Sequence, residues 1–354
     1  MSSFFSEKYA ALIPYTPGEQ PRGRKYIKLN TNESPFPPSP HAQEYARAAA
    51  GGLELYSDPE STDLRRALAA SHRVAMDEVV AVNGSDEILN FAFMAFCDAK
   101  NPAVFADITY GFYSVFAQVN FIPTRVIPLS EDFTIRPDDY KNAGGTVFLA
   151  NPNAPTGIAL SRAEVEEIVR ANPDHVVVVD EAYVDFGGES CVPLIHKYNN
   201  LLVTQTFSKS RSLAGGRLGM GFACRELIAD INTVRYSTNP YNVNRMTAAA
   251  GIGALEDEEY MRENCRTIIE NRAWTAAELQ KLGFTVLPSA TNFLFAAHPD
   301  CGGAALYAAL KERGILVRHF EKPRLSAFNR ITIGTRAQME ALVAALTEIL
   351  NRGN

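Results

Sequence analysis

From about residue 59 onward, apolar and polar positions alternate between two periods. The stretch "STDLRRALAASH" sets Leu64, Ala67 and Leu68 on one helical face behind a Ser/Thr start and a first-turn acid, and predicts a capped helix. "DEVVAV" predicts a short strand, and "NGSDEILNFAFMAFC" a turn followed by a helix. The same alternation continues through the strand "AVFAD", the helix "YGFYSVFAQV", the strand "GTVFLA" and the helix "SRAEVEEIVRA". "HVVVVD" and "LLVTQTF" are almost wholly apolar, as expected of strands covered on both faces. This order predicts an α/β fold: three layers, with a mostly parallel sheet between helices on both faces.

The two ends of the chain read differently. Residues 1–45 carry prolines at 14, 17, 21, 35, 37, 38 and 40, so "SPFPPSP" predicts an extended arm. After about residue 255, the helical stretch "DEEYMRENCRTIIENRAWTAAELQKLG" leads into "FTVLPS", "TNFLFAA", "AALYAALKERG", "ILVRHF" and "NRITIG", and a last helix runs "RAQMEALVAALTEIL". The expected division is an arm over 1–45 that joins the small domain, a large domain over 46–255 and a smaller α+β domain over 256–354.

Composition narrows the function. The chain has 354 residues, a net charge of −6 and an ordinary 46% hydrophobic content. No strongly basic stretch offers a nucleic-acid footprint, so that partner is not expected. No run of about 18 apolar residues is present, so no membrane span is expected, and "MSSFFSEKYAALIPY" lacks the apolar core of a signal peptide. The five cysteines are scattered and odd in number, without C-x-x-C spacing. That pattern fits neither a disulfide framework nor a zinc site, and points to a reducing cytoplasm.

Ligands of open α/β sheets gather beyond the carboxyl ends of the strands, so the residues there carry the chemistry. They are Asn83-Gly84-Ser85-Asp86, Thr109-Tyr110-Gly111, "NPNAPTG" over 151–157, Asp180-Glu181-Ala182-Tyr183 and Ser208-Lys209. Each has a plain structural reading: Asp86 or Asp180 as a cap, Tyr110 as core, "NPNAPTG" as a turn, Lys209 as a surface charge. Together they match one cofactor. Pyridoxal 5′-phosphate needs a lysine for its Schiff base and a carboxylate at its ring nitrogen. It also needs an aromatic face, and a helix N-terminus with hydroxyls and an arginine for its phosphate.

"TFSKSRSLAGGRLG", "NPNAPTG" and "VVDEAY" resemble, in the same order, three segments of fold-type-I pyridoxal-phosphate aminotransferases. "LNTNESPFPPSP", "LYSDPESTDLRRALA", "NGSDEIL", "TYGFYSVFA" and "RITIGTR" are similar to the histidinol-phosphate aminotransferases within that group. The resemblance implies that Lys209 bonds the cofactor, that Asp180 pairs with its ring nitrogen and that Tyr183 hydrogen-bonds the ring 3-oxygen. It places Tyr110 on the ring face and Ser85, Asp86, Thr206, Ser208 and Arg217 around the phosphate. Tyr56 would reach the phosphate of the neighbouring subunit, making the active unit a homodimer. Arg330 would hold the substrate's anionic group, with Tyr15, Asn32 and Asn292 about it. In one place the sequence departs from the family. Where these enzymes carry a second asparagine on the 3-oxygen, this chain has Ala154, which leaves Asn153 or Tyr183 to make the contact.

The implied reaction is transamination between L-histidinol phosphate, the amino donor, and 2-oxoglutarate. An aromatic amino-acid aminotransferase is the first alternative and a threonine-phosphate decarboxylase the second. A nicotinamide dehydrogenase would need G-x-G-x-x-G between a first strand and helix, which "GGRLGMG" and "GIGALE" do not provide. The six dispersed histidines and the absence of H-E-x-x-H argue against a metal enzyme.

Overall fold

The computed structural model describes every residue except Met1, Ser3, Arg22, Gly353 and Asn354. Thirteen strands occur among the described residues: β1 (Ile27–Lys28), β2 (Val79–Val82), β3 (Ala103–Ala106), β4 (Thr124–Ile127), β5 (Thr146–Ala150), β6 (Val177–Asp180), β7 (Leu201–Thr206), β8 (Gly219–Ala223), β9 (Thr285–Val286), β10 (Phe293–Ala297), β11 (Ile315–Leu316), β12 (Arg318–His319) and β13 (Phe328–Thr332). Seven of them form one sheet in the order β2-β8-β7-β6-β5-β3-β4. The run from β4 to β7 is parallel, and β8 is antiparallel to both β7 and β2.

The apolar runs are explained by cover on both faces. In β6, Val177 and Val179 join one core with Leu64, Leu68, Val165 and Ile168. Val178 faces the other, with Phe93, Tyr113, Phe116 and Ile231. Each such valine contributes about 1.5–3 kcal/mol by leaving water, so a polar residue in mid-strand would be costly here. Only at the strand's end, Asp180, does a carboxylate appear.

A third core binds the two ends of the chain. Leu29 of the arm packs with Ile268, Leu294, Ile331 and Leu342. Nearby, β1 pairs in parallel with β11, joining Ile27 to Ile315 and Lys28 to Leu316. A four-stranded antiparallel sheet, β12-β13-β10-β9, lies in this C-terminal part. The arm is fastened to its strand β13: Thr332 N–H donates to the Leu29 carbonyl at 2.9 Å, and Asn32 N–H donates to the Thr332 hydroxyl at 3.0 Å.

Several local expectations change. The helix Thr62–His72 forms, but Ser61 is left-handed (φ 47°) and does not cap it. Asp58 does so instead, accepting from Thr62 N–H at 2.8 Å. The arm is not wholly extended: it includes a single helical turn at Glu7–Tyr9, and a helix begins at Pro40 behind a Ser39 cap. β4, β8 and the helices Arg225–Thr238 and Arg245–Glu256 are additional. β8 reads "GMGFA", and its glycines resemble a turn. Space accounts for them: a Cβ at Gly221 would meet Ile88 Cδ1 at 2.0 Å.

Candidate active site

The antiparallel β8 does what a parallel strand could not. It brings its first residue, Gly219, beside Val82 at the end of β2 and Thr206 at the end of β7. Arg217, two residues earlier, therefore faces the N-terminus of the helix Ser85–Phe96. The approach is close, because a Cβ on Gly219 would fall 2.5 Å from Ser85 N, and one on Gly84 (φ +83°) 2.6 Å from Arg217 Nη2. Glycine is required at both positions. The result is a helix N-terminus, a guanidinium and the paired hydroxyls of Thr206 and Ser208 (3.0 Å apart) at one spot, a combination suited to a phosphate.

These groups line a cavity of about 390 Å³ together with Tyr110, Ala154, Asp180, Tyr183 and Lys209. That volume is within the range of cofactor pockets. The Lys209 amine is 3.5 Å from the Thr31 carbonyl and 5.8 Å from the centre of the Tyr183 ring. Burial, with help from Arg330 and then Arg217, lowers its pKa to about 8 against the opposing pull of Asp86 and Glu33. Asp180 accepts hydrogen bonds from Tyr113 Oη (3.2 Å), Ala182 N–H (3.2 Å) and Thr204 Oγ1 (3.4 Å). Burial and then the charge of Asp86 still push its pKa up to about 6. A buried carboxylate held at such a cost is well placed to meet a cationic ring nitrogen.

Asp86 differs from the expectation. Its carboxylate accepts from Tyr110 Oη at 2.6 Å and pairs with Arg217 Nη2 at 3.3 Å. A carboxylate so placed cannot itself be an anion ligand. It orients the tyrosine and the arginine, while the helix end it sits on offers backbone N–H groups. Asp86 does not cap that helix, and Glu87 Oε2 accepts from Asn83 N–H at 2.6 Å.

Asn153 lies outside this cavity's wall. Its amide nitrogen donates to the Ile108 carbonyl and Thr156 Oγ1, and its oxygen accepts from Thr109 Oγ1 at 3.0 Å. Ala154 lines the cavity in its place. Tyr183 Oη remains at the cavity wall, accepting from Asn32 Nδ2 at 2.9 Å.

A second cavity of about 620 Å³ shares Lys209, Tyr110 and Tyr183 with the first. Tyr15, Asn32 and Arg330 line it, and Tyr15 stacks on Phe112 at 4.3 Å. Arg330 Nη2 donates to the Asn30 carbonyl at 3.1 Å, while its buried Nε has no partner among the described residues. Asn292 is not in the wall. It lies behind, donating to the Asn32 carbonyl at 3.0 Å, and its oxygen also has no partner among the described residues. Tyr56 is 79% exposed, far from burial, and stacks on Tyr241 at 4.5 Å.

Two residues at the site escape sequence reasoning. Arg318 is the cross-strand partner of Arg330 in the β12–β13 pairing and lines the same cavity. Glu33 enters the first cavity from the arm. Arg318 lies inside the apolar run "ILVRHF", and Glu33 inside the proline-rich segment, so neither stands at a recognisable strand end.

Comparison with known proteins agrees with this geometry. The sequence matches the family Aminotransferase class I and II over residues 24–346. It is 50% identical over 350 residues to a histidinol-phosphate aminotransferase of Marinomonas sp. (strain MWYL1), covering 98% of this chain and 99% of that one. It is also 50% identical over 351 residues to histidinol-phosphate aminotransferase 2 of Rhizobium meliloti (strain 1021), covering 99% and 100%. The crystal structure of histidinol-phosphate aminotransferase from Sinorhizobium meliloti in complex with pyridoxal-5′-phosphate superposes with a TM-score of 0.89, at 26% identity over 100% of this chain and 99% of that one.

Proposed function

We propose a reaction for a chain that belongs to aminotransferase class I and II. It transfers the amino group of L-histidinol phosphate to 2-oxoglutarate, giving imidazole-acetol phosphate and L-glutamate, a step of histidine biosynthesis dependent on pyridoxal 5′-phosphate. One observation carries the reading: a lysine amine of lowered basicity shares its cavity with a buried carboxylate, beside a buried arginine with an unpartnered nitrogen.

The cofactor, when bound, supplies a carbonyl carbon for an amine and a ring that accepts the electrons of a bond broken at the substrate Cα. The residues do the rest. Ser85, Thr206, Ser208 and Arg217 hold its phosphate, and Asp86 keeps Arg217 and Tyr110 in place. Tyr110 covers one ring face. Asp180 keeps the ring nitrogen protonated, and in doing so recovers the ionisation that burial opposes. Tyr183 alone, steadied by Asn32, bonds the 3-oxygen, since the Asn153 amide is occupied elsewhere. Lys209 holds the cofactor at rest. Once freed, it carries the Cα proton, for which a pKa lowered to about 8 leaves roughly a tenth of the amine neutral at pH 7, far more than an ordinary lysine would have.

Both substrates are anions, one a phosphate and the other a dicarboxylate. Arg330 and Arg318 present forked donors that fit either. Tyr15 and Asn32 close the pocket from the arm. The reading extends to a homodimer in which Tyr56 completes the partner's phosphate site. Leu53, Leu55, Tyr56 and Tyr241 form an exposed apolar group that suits a second copy. It extends also to a division of labour, with residues 46–255 carrying the cofactor and 256–354 the substrate arginines. A cytoplasmic setting accords with five free cysteines. Among the described residues, no helix is long and apolar enough to cross a membrane.

The test is a substrate panel of histidinol phosphate, phenylalanine and phosphothreonine, with 2-oxoglutarate as acceptor. Histidinol phosphate should be turned over fastest. Faster turnover of phenylalanine would favour an aromatic amino-acid aminotransferase, and carbon dioxide release from phosphothreonine a decarboxylase.

A further inference from the structure

The arm does more than cover the cavity, because it places a carboxylate in the wall that Lys209 shares. Glu33 Oε2 accepts from Lys28 Nζ at 2.6 Å and from Thr31 Oγ1 at 2.8 Å, so the carboxylate is held from two sides. It lines the same cavity as Lys209. The stretch Thr31–Ser34 runs along the lysine loop and touches it twice. Lys209 Nζ reaches the Thr31 carbonyl, and Ser212 Oγ donates to Ser34 Oγ at 2.8 Å. No step derived above uses Glu33.

We propose that Glu33 is a positioning residue for Lys209: its fixed carboxylate draws the lysine nitrogen toward the arm and sets how readily that nitrogen takes a proton. This rests on Lys209 being the residue that bonds the cofactor and carries the proton. Charges reach Lys209 from four other elements or turns. Arg330 on β13 and Arg217 in the glycine-rich turn oppose its protonation, while Asp86 on the helix Ser85–Phe96 favours it and Tyr183 presents its ring. Glu33 is the favouring charge that comes from the arm. It is also the adjustable one, because Lys28 partly neutralises it. The arrangement gives the lysine a resting place once substrate has displaced it: the Thr31 carbonyl as acceptor and the Glu33 carboxylate as counter-charge.

The experiment is a pH titration of the visible absorbance of the cofactor-loaded enzyme, which reads protonation at the Lys209 nitrogen without turnover. Glu33→Gln removes the charge and keeps the shape, and the midpoint should fall by roughly 0.5–1 pH unit, less than for a closer unscreened pair. Lys28→Met leaves the carboxylate unneutralised, and the midpoint should rise. Glu33→Asp keeps the charge and should restore the midpoint. The acid limb of kcat in Glu33→Gln should move in the same direction as its spectrum. Loosening of the arm alone would move the Gln and Met variants alike, so opposite shifts distinguish the role from a structural one. A midpoint unmoved or raised in Glu33→Gln, or lowered in Lys28→Met, overturns the proposal. If the wild-type absorbance survives Lys209→Ala, the lysine reading fails and this one falls with it. With that control intact, a stationary midpoint removes Glu33 alone.

Discussion

Arg318 and Arg330 stand opposite one another on β12 and β13, and both guanidinium groups lie over the ring of Phe320, at 5.5 and 5.7 Å. Like charges set directly across a strand pair repel. Burial and the neighbouring Arg318 both favour a neutral Arg330, whose pKa is lowered. An anion between them removes that penalty, so the free pocket is disposed toward phosphate or carboxylate before either arrives.

Arg330→Lys keeps the charge and loses the fork. It should raise KM for histidinol phosphate and for glutamate by roughly ten-fold or more, the scale of one charge-assisted hydrogen bond. The cofactor spectrum should be unchanged. Steady-state kinetics of both half-reactions decide it, and a loss confined to one would mean that the two anions bind at separate places.

Lys209→Ala should fold and lose covalent attachment of the cofactor. Borohydride reduction followed by peptide mapping checks this. A reduced adduct on another lysine of the variant would show that the assignment is mistaken.

Asp180 gives a pH effect whose sign follows from its environment. Its folded pKa, about 6, lies above the ordinary 3.8. The folded, cofactor-free protein therefore binds the proton more tightly than the unfolded chain does. That contribution is fully present below pH 3.8 and is lost as pH rises through about 6. Asp180→Asn should stabilise the cofactor-free protein at pH 8, by up to about 3 kcal/mol, and much less at pH 4. It should also weaken cofactor binding. Thermal melts at the two pH values test it, and equal changes at both would refute the account.

Gly219→Ala places a methyl group where Gly84 and Ser85 already stand. The helix N-terminus must shift, at about 1–3 kcal/mol of stability, and cofactor retention should fall with it. Dialysis of the loaded enzyme with absorbance readings measures retention. Gly302→Ala, remote from this cavity and with open space around the new Cβ, is the control and should retain cofactor normally.

Tyr56 can be tested without a structure of the assembly. Lys209→Ala and Tyr56→Phe subunits, each impaired alone, should regain activity when mixed into hybrid dimers. Absence of recovery, with hybrids demonstrated by mass, would mean that Tyr56 serves its own chain or none.

Much of the site was legible because the sheet makes it so. A strand buried on both faces tolerates polar atoms only at its ends, so Asp180 and Lys209 stand out against "HVVVVD" and "LLVTQTF". The register that brings Arg217 to the helix N-terminus was not legible, since nothing in the sequence says that β8 runs backwards between β2 and β7. What the Asp86 carboxylate touches was not legible either. Its partners Tyr110 and Arg217 are 24 and 131 residues away, and only their approach shows that the carboxylate holds them. That Ala154 and not Asn153 lines the cavity was hidden for a related reason: a turn sequence does not reveal which of two neighbouring side chains faces inward. Arg318 was hidden because its two-residue strand merges with β11 into one apolar run.

Asn30, which holds Arg330 through its carbonyl, precedes it by 300 residues. On a ribosome adding about 5–20 residues per second, the arm emerges roughly 15–60 s before its partner exists. Every strand of the large sheet can be made in that interval, yet Arg330 and the arm's anchorage on β11 and β13 come only with the last part of the chain. The strands around Lys209 are thus complete while Arg330 is still untranslated, and a chain stopped short of β13 would have the lysine without the arginine that shares its neighbouring cavity.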